Sequence, residues 1–285
     1  MTSKKRMQLV GLVALGVVTA ILVVWSLPQI RNPQPTGVPA KASPTLTVGP
    51  SETPTASSGA TPTPSKDAPT TAPKPTGVAG LATLLRGQEA VSILVLGDGS
   101  GNDPDEWVSL WATDYLAKGR KVAYKSWNPE REAWKSAGTT GSGPATTIWN
   151  ASMTAPNLST EDDRVADVWQ PADVVIISYG HRNPASSIGS RLTAIRKAVK
   201  AQDDSANVIV MIQNPDPVAI EQTQREATQT VKKWAVDAGL DSINIYDAFI
   251  ADSTPRYQLV EADGSPSPAG SALWARTLAN AVASA

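Results

Sequence analysis

Between Val91 and Tyr246, six short apolar runs alternate with longer stretches of helical periodicity, and this alternation limits the architecture more than any other feature of the chain. The runs are Val91–Leu96, Lys121–Trp127, Thr146–Asn150, Asp173–Ser178, Asn207–Ile212 and Ser242–Tyr246. The amphipathic stretches are Asp105–Lys118, Ser187–Ala201, Pro217–Ala238 and Pro268–Ala283. Several runs are apolar at nearly every position, which a strand tolerates only when both faces of its sheet are covered. Strands joined through helices pair in parallel by right-handed crossovers, so the expected fold is a three-layer α/β/α sandwich around a parallel sheet. In such sheets ligands sit at the carboxyl ends of the strands, which directs attention to the residue blocks that follow each run.

The N-terminal part cannot join this core. Lys4, Lys5 and Arg6 precede an uncharged run from Met7 to Leu27, whose apolar part spans roughly 28 Å at about 1.5 Å per helical residue. That length matches a bilayer interior, and no A-x-A cleavage pattern follows, so residues 1–28 are expected to be a cytoplasmic tip and an uncleaved signal anchor. The basic flank stays inside by the positive-inside rule, leaving the rest of the chain extracytoplasmic with Trp25 at the outer interface. Residues 29–77 are then dominated by Pro, Thr, Ser and Ala, a composition that cannot bury a core and predicts a disordered, extended stalk. Residues 78–285 form the expected globular domain.

Composition removes several chemistries. No cysteine is present, which excludes disulfides, thiolate nucleophiles and thiolate metal sites, and the single histidine, His181, rules out a multi-histidine metal centre within one chain. No cofactor or metal is expected. Twenty-five Lys and Arg balance 26 Asp and Glu, so the chain lacks the positive field of a nucleic-acid binder.

The block after the first strand is Gly97-Asp98-Gly99-Ser100-Gly101. It has neither the spacing nor the Lys of a phosphate loop, it lacks the third glycine of a dinucleotide fingerprint, and as a calcium loop starting at Asp98 it has Asp103 and Ser109 where Gly and Glu belong. A serine beside a helix N-terminus can serve an oxyanion or simply complete a turn. After the third strand comes Ile148-Trp149-Asn150-Ala151-Ser152, after the fourth Tyr179-Gly180-His181-Arg182-Asn183, and before the last helix Asp263-Gly264-Ser265-Pro266.

Taken together, "ILVLGDGSG", "IWNAS", "DVVIISYGHRN" and "DGSPSPAGSALWA" resemble, in order and spacing, the four blocks of the SGNH or GDSL hydrolases, over roughly Ser92 to the C-terminus. The resemblance implies a flavodoxin-like sheet and Ser-His-Asp cleavage of acyl esters, often on acetylated sugars or lipids. The sequence also departs from the family. Gly99 stands at the nucleophile position with Ser100 one residue later, Arg182 at the oxyanion Asn position with Asn183 one residue later, and Ala155 at the second-block Gly. No histidine occupies the last block, where Pro266 or Ser265 falls at its place.

Two accounts stay open. In one, the domain is a membrane-anchored extracytoplasmic esterase acting on an acylated glycan or a small acyl ester. Ser100 is then the nucleophile, His181 the base, Asp263 or Asp98 its orienter, and the amides of Ser100 and Ala155 with the Asn183 side chain form the oxyanion site. In the other, Ser100 has no base and the domain binds glycan or a partner protein without turnover. Among the nine Trp, Trp107, Trp111 and Trp274 are expected in the core. Trp127, Trp134 and Trp149 fall near strand ends, where indoles either pack or stack on a sugar. Glu161, Asp162 and Asp163 are expected to form a solvated helix start.

Overall fold

The computed structural model describes residues 75–181, 183–218 and 221–285. The expected signal anchor, and the expected stalk up to residue 74, lie outside the described residues, among which no helix is long and apolar enough to cross a membrane.

Seven strands form one sheet: β1 (Val91–Gly97), β2 (Lys121–Asn128), β3 (Ala133–Thr140), β4 (Ala145–Asn150), β5 (Val174–Ser178), β6 (Asn207–Ile212) and β7 (Asp241–Asn244). Their spatial order is β3-β2-β4-β1-β5-β6-β7, with β3 antiparallel to β2 and every other pairing parallel. Without the β2–β3 pair the order becomes that of a flavodoxin-like sheet, and the pair extends it at one edge. β3 escaped the sequence reading because its residues are largely exposed and carry little apolar signal, as an edge strand allows.

The helices are α1 (Gly77–Arg86), α2 (Trp107–Leu110), α3 (Glu161–Val168), α4 (Ala185–Gln202), α5 (Glu221–Asp237), α6 (Ile245–Ala251), α7 (Arg256–Leu259) and α8 (Pro268–Ser284). They cover both faces, because successive strand side chains point to opposite sides. Val91, Ile93 and Val95 of β1 join Val174, Ile176, Ile209 and Met211 in a core covered by α1, α2, α6, α7 and α8. Leu94, Leu96, Val175, Ile177, Val208, Val210 and Ile212 face the other way, onto α3, α4 and α5.

Two expected elements change form. The helix expected over Asp105–Lys118 is a single α-turn followed by a π-turn at Trp111–Tyr115 and a 3₁₀ turn at Leu116–Lys118. The last strand stops at Asn244 rather than Tyr246, because the Asn244 side chain accepts the Asp247 amide at 2.9 Å and caps α6.

Two polar devices fix α1. Its first amides bond to side chains at the start of β6 and β7, Gly77 N to Asn207 Oδ1 at 2.6 Å and Val78 N to Asp241 Oδ2 at 3.0 Å. At its other end the buried Arg120 guanidinium donates to the carbonyls of Leu85, Gly87, Glu89 and Ala145 and to Thr146 Oγ1. Five bonds to neutral acceptors satisfy this cation without a carboxylate.

Trp107 and Trp274 stack with ring centroids 5.1 Å apart and 2° between planes, both fully buried. This pair joins α2, which follows the loop after β1, to α8, which follows the last loop. Trp274→Ala should therefore cost about 3–5 kcal/mol, the usual range for emptying a buried aromatic site, measured by urea unfolding.

Candidate functional site

The loops after β1, β4 and β5 and the loop before α8 meet at the carboxyl edge of the sheet, around the point where strand order reverses beside β1. They enclose a cavity of about 310 Å³ lined by Asp98, Gly99, Ser100, Thr154, Ala155, Pro156, His181, Asn183, Asp263 and Ser265. The six residues singled out from sequence, Asp98, Ser100, Ala155, His181, Asn183 and Asp263, thus line one cavity. Their hydrogen bonds differ from those expected.

Ser100 is buried, and its hydroxyl donates to Asp98 Oδ1 at 2.7 Å while its amide reaches the same oxygen at 3.1 Å. No hydrogen bond links Ser100 to His181 among the described residues. The amide expected to serve an oxyanion is likewise already committed to Asp98. This geometry is a turn in which a side-chain oxygen takes both N–H and O–H from the serine two residues on. It recurs at Asn157 with Ser159 (3.1 and 2.7 Å), next to the cavity-lining Pro156, and at Asp203 with Ser205 (2.8 and 2.7 Å). Asp263 and Ser265 form a similar turn, so the Asp263 carboxylate accepts from Ser265 N at 3.0 Å and Oγ at 3.2 Å, and no bond joins it to the His181 ring. The Ser100–Asp98 contact is therefore built by local chain geometry.

His181 is held on three sides. Its amide donates to Gln213 Oε1 at 2.6 Å, its Nε2 lies 2.8 Å from the Asn214 carbonyl, and its Nδ1 lies 3.5 Å from Asp216 Oδ1. A carbonyl only accepts, so Nε2 carries the proton and the other nitrogen faces Asp216. The acid beside the histidine is thus Asp216, in place of the expected Asp98 or Asp263. Gly264, at φ +91°, makes this approach possible, since a Cβ there would lie 2.4 Å from Asp216 Oδ1.

Sequence reasoning missed the loop after β6. Gln213 is buried, and its Nε2 donates to Asp98 Oδ2 at 2.8 Å and to the Ser178 carbonyl at 3.0 Å. Asn214 donates to the Gly264 carbonyl at 3.1 Å. Polar residues directly after the apolar run Val208–Ile212 were the available signal.

Two expected oxyanion donors keep capacity. Ala155 has φ +51°, a left-handed conformation that costs a non-glycine residue roughly 1–2 kcal/mol, at the position where the resemblance places a glycine. Asn183 donates one amide hydrogen to the His181 carbonyl at 2.7 Å and has a second.

The helix starts at Glu161 as expected and Asp163 is exposed, but Glu161 itself is 2% exposed, which corrects its expected place in solvent. Its carboxylate takes two bonds from Arg164 Nε, at 3.0 and 2.9 Å, a third from Arg164 Nη2, and the Tyr179 hydroxyl. Arg164 continues to the Ala151 carbonyl at 3.0 Å, tying α3 to the loop after β4. Burial and the adjacent Glu161 charge push the Tyr179 phenol well above its usual range, so it stays a donor. Glu161→Ala should destabilise the domain by about 3–5 kcal/mol in denaturant unfolding, because it strands the Arg164 charge.

The three strand-end tryptophans pack on one another, Trp127 to Trp134 at 5.3 Å and Trp134 to Trp149 at 5.1 Å, edge to face. They lie against the α3/α4/α5 core, so packing is the role the structure gives them.

No family profile matches this sequence, and no curated protein matches it. Solved structures do match the fold. A lipase/acylhydrolase from Enterococcus faecalis aligns with 17% identity and a TM-score of 0.50 over 67% of this chain and 94% of its own. The psychrotrophic esterase EstA from Pseudoalteromonas sp. gives 16% and 0.47 over 68% and 97%. A member of the lipolytic protein G-D-S-L family from Veillonella parvula DSM 2008 gives 11% and 0.44 over 65% and 94%. With its strand order, its strand-end cavity and its four blocks in place, the domain has the SGNH/GDSL hydrolase fold in a divergent form.

Proposed function

We propose that the cleft binds a small polar ligand, of the acylated-glycan or short acyl-ester class, and retains it without an activated serine. The observation that carries this reading is the Gly99–Ser100 geometry. The loop residue in register with the expected nucleophile has no side chain, and the neighbouring hydroxyl is held by Asp98 in a turn that recurs elsewhere among the described residues. The His181 ring supports it, since both nitrogens already face protein acceptors. The lining supports the ligand class. Among the described residues it carries carboxylates, an amide, an imidazole and hydroxyls, with Ala155 and Pro156 as small apolar members, a lining suited to a small polar ligand. On this reading the Met7–Leu27 anchor and the Pro-rich stalk display the domain outside the membrane.

A second reading, ester hydrolysis through Ser100, is favoured by one observation: Ser100, His181, Ala155 and Asn183 line the same cavity. It requires Ser100 to leave Asp98 and His181 to leave Asn214.

The two readings separate on incubation of the full-length chain, in mild detergent, with a fluorophosphonate probe. The binding reading expects no adduct, together with saturable binding of acetylated glycan fragments that weakens at least tenfold in Asn183→Ala. An adduct on Ser100 that disappears in both Ser100→Ala and His181→Ala would instead establish the hydrolase.

A further inference from the structure

At the edge of the sheet opposite the cleft, where β6 and β7 begin, lies a second cavity of about 200 Å³. Asn207 and Asp241 line it from the strands, Thr76 and Gly77 from the start of α1, and Arg196 and Lys200 from the last turns of α4. β6 runs from Asn207 at this edge to Gln213 at the cleft, which sets the two cavities about 20 Å apart at the usual rise of a strand. The helix returns antiparallel to the strands and so carries its C-terminal cations to this edge.

In a chain of net charge −1, α4 carries Arg191, Arg196, Lys197 and Lys200 and no acidic residue. Arg196 and Lys200, one turn apart, share a side of the helix. Lys200 Nζ donates to the Asp204 carbonyl and lies 3.7 Å from Asp204 Oδ1, an exposed pair of the weak kind. Arg196 differs. Its Nε is closed off from solvent with no hydrogen-bond partner, and among the described residues no ion pair involves it. The acceptors of the lining are committed elsewhere: Asp241 Oδ2 accepts the Val78 amide at 3.0 Å, and Asn207 Oδ1 accepts the Gly77 amide at 2.6 Å. A guanidinium offers five donors and accepts nothing, and a donor shut off from water without an acceptor is costly.

We propose that this cavity is an anion site that takes a phosphate group, with the Arg196 guanidinium as its principal ligand and Lys200 as its second cation. A phosphate brings several acceptor oxygens, two of which match the planar fork of an arginine, and its charge is offset by the second cation. The volume of about 200 Å³ falls below the roughly 300–1,000 Å³ of pockets that enclose drug-sized ligands, which suits a small anion. The group arrives either as free phosphate or as the headgroup of an anionic lipid. The expected stalk ends at this cavity, through Thr76 and Gly77. The inference is independent of whether the cleft binds or hydrolyses its ligand.

Calorimetric titration of inorganic phosphate into the full-length chain, in an uncharged detergent and at constant ionic strength set with chloride, tests the site. Saturable binding at one site is expected, weakened about tenfold or more in Arg196→Ala and less in Arg196→Lys, which keeps the charge and loses the fork. Lys197→Ala removes an exposed cation of the same helix outside the cavity and should bind as the wild type does. Because Arg196 makes no ion pair that the fold uses, Arg196→Ala should keep the wild-type urea midpoint when phosphate is absent. Repeating the titration after reconstitution in phosphatidylglycerol vesicles separates the two sources. Loss of the phosphate heat there assigns the site to the lipid headgroup, and its persistence assigns it to free phosphate. No saturable binding in detergent, equal binding by wild type and Arg196→Ala, an equal loss in Lys197→Ala, or a lowered midpoint in Arg196→Ala would each overturn the site.

Discussion

The amide of Gln213 holds the site together. From the end of β6 it donates to Asp98 in the β1 loop and to the Ser178 carbonyl at the end of β5, and it accepts the His181 amide from the β5 loop. Three loops that share no local sequence are thereby fixed by one buried side chain. A primary amide can do this because it carries donors and an acceptor in one plane, and burial makes each unmade bond costly. The position of the Asp98–Ser100 turn and the orientation of the His181 backbone both follow from it.

Around that hub the polar groups are arranged as structure first and as chemistry second. Asp98 completes a turn, Asn214 and Asp216 absorb the imidazole, and Glu161 neutralises Arg164 beneath the β4 loop. Nucleophilic catalysis needs a nucleophile–base contact that the surrounding residues orient, and here the corresponding atoms are bound to other partners. What the cleft keeps is a polar cavity at the switch point of the sheet, a strained Ala155 and an Asn183 with a spare hydrogen. These features line the cavity that the proposed ligand would occupy.

Much of the fold was legible because its strands are buried on both faces. Val174–Ser178 and Asn207–Ile212 are apolar at nearly every position, so their strand character and parallel pairing could be read directly. β3 could not, since Ala133–Thr140 is an exposed edge strand whose pairing with β2 leaves little hydrophobic trace. The break in the helix after Trp107 was hidden for a different reason. Periodicity records which side chains face the core, and a π-turn changes the backbone ladder while keeping Trp107 and Trp111 inside.

For the site, the sequence alone determined which residues could meet. Strand-end blocks of a parallel sheet converge on one edge, and Asp98, Ser100, Ala155, His181, Asn183 and Asp263 do line one cavity there. The tertiary structure alone decided which atoms pair. Ser100 with Asp98 rather than His181, His181 with Asn214 and Asp216, and Glu161 in the interior rather than in water are choices among acceptors a few ångströms apart. Hydrogen bonding is short-ranged and directional, so those choices turn on backbone positions set by the whole sheet, which a pattern of residue types along the chain does not contain.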